Sequence, residues 1–66
     1  MKILELYNIV FDSEGNVKLC GREACKRLIE MCLSINPTIN FGNPDTGMMN
    51  IDNIKNFIKL LKNGDE

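Results

Sequence analysis

Apolar residues fall in five stretches along the chain, separated by residues that favour turns. Ile3 to Phe11 is rich in Ile, Leu, Val, Tyr and Phe and holds no Gly or Pro, which favours a strand. Leu4, Leu6 and Val10 then lie on one face, and Ile3, Tyr7, Ile9 and Phe11 on the other. Both faces are mostly apolar, more than a strand open to water on one side requires. A helix over residues 2–9 is the competing reading, ranked second because β-branched and aromatic residues dominate the later half. Asp12-Ser13-Glu14-Gly15-Asn16 reads as a turn: Gly15 takes positive φ at no steric cost, and Asp12 or Ser13 can bond the backbone ahead. Val17-Lys18-Leu19-Cys20 returns as a second strand, predicting an N-terminal β-hairpin.

Gly21 separates that hairpin from a helix predicted over Arg22–Ile35. At about 100° per residue, Ala24, Cys25, Leu28, Ile29, Met31, Cys32, Leu33 and Ile35 cover roughly 200° of its circumference. A helix lying on one sheet needs only about 100° of apolar surface. The surplus implies a further neighbour, either the second helix or a second chain. Asn36 suits the position after the helix, and Pro37 stops it. Thr38-Ile39-Asn40-Phe41 reads as a short strand, Gly42 to Gly47 as a loop, and Met48-Met49 as a strand pairing back. Asn50 or Asp52 caps a final helix ending near Asn63, with Gly64 as its stop. Ile51, Ile54, Phe57, Ile58 and Leu61 form the buried stripe of that helix. The fold class expected is α+β, in the order β-β-α-(β-β)-α. A small antiparallel sheet is covered by two helices, in one domain over residues 1–66 with a frayed tail at 64–66.

Composition narrows the function classes. The chain has 66 residues, a formal net charge of −1, 44% apolar and 26% charged residues, and no His. One chain without histidine builds neither a Cys-His nor a Ser-His nucleophile, nor a His-containing zinc site. A sequence pI near 5.3 argues against a strongly basic nucleic-acid binder. Three cysteines are an odd number, and no charged-then-apolar leader follows Met1. Both point to a reducing, cytoplasmic setting with free thiols. No apolar run approaches the roughly 18 residues of a membrane span.

Candidate chemistry is sparse. Cys25 and Cys32 lie seven apart on one helix face, inside the apolar arc, and read as inert packing groups. Cys20 precedes a helix N-terminus and Arg22, the one setting in the chain that would favour a thiolate, but without a general base. Asp12, Glu14 and Asp45 sit in turns, where convex, wet surroundings suit solvated carboxylates better than catalytic ones. Arg22, Lys26 and Arg27 on the first long helix, with Lys55, Lys59 and Lys62 on the second, could form one anion-contacting surface if the two polar sides were coplanar. Met31, Leu33, Met48 and Met49 are the interface candidates, since methionine adapts to irregular partners and the surplus arc needs cover. The expectation is a small non-catalytic protein–protein interaction module that forms a homodimer or binds another protein, without a cofactor or metal. A nucleic-acid-binding regulator using the basic faces is the alternative. Nine asparagines and eight isoleucines suit a bacterial or phage protein of AT-rich origin.

Overall fold

The computed structural model describes residues 2–18 and 21–64. Its elements run in the order α1 (Lys2–Val10), α2 (Arg22–Ile35), β1 (Gly42–Asn43), β2 (Met48–Met49) and α3 (Ile51–Gly64). Three helices therefore carry the fold, with a two-stranded antiparallel ribbon inserted between α2 and α3.

The expected N-terminal hairpin is not formed. Residues 2–10 are helical, which corrects the strand reading of Ile3–Phe11. Ile3 and Val10 are fully buried, with Leu6 and Tyr7 half-buried between them. The spacing 3, 6/7, 10 is one stripe of a helix, and it satisfies burial that the two-faced strand could not. Tertiary packing here outweighs the β preference of Ile, Tyr and Val. Of the hairpin, only one antiparallel bridge between Phe11 and Val17 remains. Leu19 and Cys20, the rest of the expected second strand, lie outside the described residues.

The turn itself forms as its residues dictate. Asp12 Oδ1 accepts the backbone N–H groups of Glu14 and Asn16, both at 2.9 Å, and Gly15 takes φ +83°. The returning chain then closes the end of α1. Lys18 N–H donates to Val10 O at 2.7 Å, and its ammonium donates to Asn8 O at 2.7 Å. The last turn of α1 has no basic residue of its own, so Lys18 supplies both the donor and the favourable charge.

Helix α2 occupies the range read from the sequence, Arg22–Ile35. Asn36 ends it in extended backbone at φ −142°, donating its N–H to Cys32 O, and not in a left-handed turn. The ribbon lies later than expected, pairing Gly42 with Met49 and Asn43 with Met48; Thr38–Phe41 is not a strand. Gly42 has φ +118°, and its missing side chain lets the backbone of Met48 to Asn50 pass at close range. Asn50 caps α3, its Oδ1 accepting the Asn53 N–H at 3.3 Å.

Asparagine marks each break between these elements. Asn36, Asn40, Asn43 and Asn50 all accept a backbone N–H two or three residues ahead. The core beneath is wholly apolar: Ile3, Val10, Phe11, Leu28, Ile29, Cys32, Phe41, Ile54, Phe57 and Ile58 are buried. Each described element except the ribbon contributes to it. Phe41 meets Phe57 with ring centroids 5.0 Å apart, and Tyr7 stacks on Phe11 at 4.6 Å.

Candidate functional site

An open groove of about 390 Å³ runs between α1 and α2. Leu6, Ile9 and Met31 give it an apolar floor, and Lys2, Glu5, Arg27 and Glu30 give it a charged rim. Lys2, Glu5, Leu6 and Ile9 recur at helical spacing and so share one face of α1; Arg27, Glu30 and Met31 do the same on α2. Ile9 remains 55% exposed on that floor. Among the described residues the one ion pair joins Arg27 to Glu23, at 4.0 Å and highly exposed. No ion pair crosses the groove between the charges that line it.

A second, shallower patch lies where the ribbon meets the start of α3. Met48, 73% exposed, stands there beside Ile51, Asp52 and Gly42. Met49 turns inward against the core, so the adjacent methionines split between the two sides as extended backbone requires. Of the other interface candidates, Met31 reaches the groove floor, and Leu33 is half-buried against the core. Ile35 and Leu60 are also left exposed, on α2 and α3.

The basic residues each have their own neighbours. Arg22 and Lys26 come together on either side of Gly47, with Arg22 Cγ 2.7 Å from where a β-carbon would stand. The Lys55 ammonium lies against Gly15, and that of Lys62 lies 5.3 Å from the centre of the Tyr7 ring. Lys59 is exposed, and Arg27 sits between Glu23 and the groove. Burial, reinforced by the charge of Asp12, raises the Tyr7 hydroxyl above its usual pKa of 10.0.

The chemical candidates find little support in the geometry. Cys32 is fully buried, and burial pushes its thiol up to about 11, opposite to what a nucleophile needs. Cys25 is half-buried and packs against the core. Cys20 lies outside the described residues. Asp12 is spent as a turn acceptor, and Glu14 and Asp45 are exposed in turns. Among the described residues, no three His, Cys, Asp or Glu side chains gather as metal ligands would, and no helix is long and apolar enough to cross a membrane.

The α1 side of the groove was missed because residues 2–10 read as strand. Its signal was present in the Lys2, Glu5, Leu6, Ile9 spacing, which gathers on one side only if the segment is helical. Comparison with family models, curated proteins and solved structures finds no match to this chain.

Proposed function

We propose that this chain is a small non-catalytic module that works by protein contact, first with a second copy of itself. The groove between α1 and α2 is the observation that carries this reading. Its floor of Leu6, Ile9 and Met31 is left open beside a core that already closes without it. Exposed apolar residues scattered singly are ordinary, but an apolar floor with a polar rim is the anatomy of a contact surface. Absence of histidine from the sequence and the raised Cys32 thiol favour a non-catalytic role.

The nucleic-acid reading has less behind it. Lys62 is engaged over Tyr7, Lys55 lies at Gly15, and Arg27 shares its helix face with Glu23 and Glu30. Phosphate contacts favour cations presented together without interleaved carboxylates.

Sedimentation equilibrium from about 1 to about 200 micromolar protein tests the proposal, since contact modules commonly associate in that range. Reversible growth in mass with concentration is expected, reduced in Ile9→Glu. A single protomer mass throughout would overturn self-association.

A further inference from the structure

We propose, resting on the contact-module reading above, that the α1–α2 groove seats a second copy of this chain across a two-fold axis. In this arrangement each helix lies antiparallel to its own copy. The order of charges along the rim is what selects it. Helix α1 presents Lys2 and then Glu5; α2 presents Arg27 and then Glu30. Each helix thus offers a cation followed, about 4.5 Å along its axis, by a carboxylate.

Reversing the direction of one copy places Lys2 opposite Glu5 of the second copy, and Glu5 opposite its Lys2. The same reversal pairs Arg27 with Glu30 of the second copy. A copy laid parallel would set cation against cation and carboxylate against carboxylate. A two-fold interface is self-complementary in this sense: if residue i meets residue j, then j meets i. The rim sums to zero charge, so a partner of one strong sign gains on two positions what it loses on the other two. A partner with the same alternating pattern gains on all four, and a second copy has that pattern by construction.

The chain leaves these charges available. Lys2, Glu5 and Glu30 make no ion pair among the described residues. Arg27 has only the highly exposed contact to Glu23 at 4.0 Å, which holds it weakly. Between the rims, Ile9 and Met31 would meet their counterparts, and the methionine thioether can adjust to the fit.

Charge reversal on both sides of the pattern tests the arrangement. Lys2→Glu/Arg27→Glu makes a rim of four carboxylates; Glu5→Lys/Glu30→Lys makes a rim of four cations. All four positions are exposed, so the helices should persist, as circular dichroism would verify. Each double variant alone is expected to lose at least about tenfold in homodimer affinity, because like charges now face one another. An equimolar mixture of the two, one carrying a fluorescent label, should recover a complex of one copy of each. That recovery is a gain that misfolding cannot imitate.

Other results overturn the arrangement in distinguishable ways. If the native chain associates and the reversed variants associate equally well, the seat lies elsewhere, while the contact-module reading stands. Variants that dissociate but do not pair when mixed refute the antiparallel register. A native chain that stays a protomer at every concentration removes this inference together with self-association.

Discussion

Replacing Gly42 by alanine should cost this fold a large part of its stability. Gly42 holds φ +118°, a conformation that a residue with a β-carbon adopts at a cost of about 1–3 kcal/mol. The added carbon would stand 2.2 Å from Met48 O, 2.8 Å from Met49 Cα and 2.9 Å from Asn50 N. All three are backbone atoms, so no rotamer change relieves the overlap. Strand β2 must move off β1, breaking the Gly42–Met49 register and straining the Asn50 N–H bond to Phe41 O at 2.9 Å. Asn50 also caps α3, so the displacement reaches the helix that brings Ile54, Phe57 and Ile58 to the core. Strain and overlap together amount to about 2–4 kcal/mol. A domain of this length has about 3–10 kcal/mol in all. Urea unfolding followed by far-ultraviolet circular dichroism measures the loss directly, with an unchanged m-value as the check that only stability moved. Gly21→Ala is the control, since nothing lies within 4 Å of its added carbon. A Gly42→Ala loss below about 0.5 kcal/mol would refute the packing argument.

Three further outcomes are expected. Gly21→Asp should stabilise the protein by about 0.5 kcal/mol, because Gly21 is the α2 N-cap and gives it no side-chain acceptor; the same urea titration reads the gain. Lys18→Met should cost about 0.5–1 kcal/mol by removing the ammonium that bonds Asn8 O at the end of α1, seen as a lower urea midpoint that added salt narrows. Stability should also fall in alkali: the Cys32 thiol titrates near 9.0 when unfolded and about 11 when buried, so between these values the unfolded chain binds fewer protons. The urea midpoint should therefore hold below about pH 9 and decline above it, with a shallower decline in Cys32→Ala, and native Cys32 should resist iodoacetamide until the chain unfolds.

What the sequence made legible was local. Arg22–Ile35 was readable at both ends because Gly21, Asn36 and Pro37 bracket an apolar arc with helical spacing. The 12–16 turn was readable because Asp12 and Gly15 act within five residues. Residues 3–11 were misread because their two mostly apolar faces were assigned by β preference, whereas the spacing of Ile3, Leu6, Tyr7 and Val10 was the helical signal. The ribbon was placed too early because Ile39 and Phe41 look strand-like, yet Phe41 is wanted in the core and Asn40 turns the chain instead. Half of the groove depended on that misread segment, so only its α2 side, at Met31 and Arg27, was within reach of the residues alone. The surplus arc of α2 was correctly read as needing further cover, and α1 provides part of it.

Contacts of α3 with the beginning of the chain have a consequence for how the protein is made. Lys55 lies against Gly15, Lys62 lies over Tyr7, and three core residues come from this last helix. A nascent chain emerging from the ribosome holds its first helix unsupported until residue 62 is out. Synthesis then finishes, or nearly so, before any stable tertiary structure exists, and the open first helix must be kept from other nascent chains in the meantime.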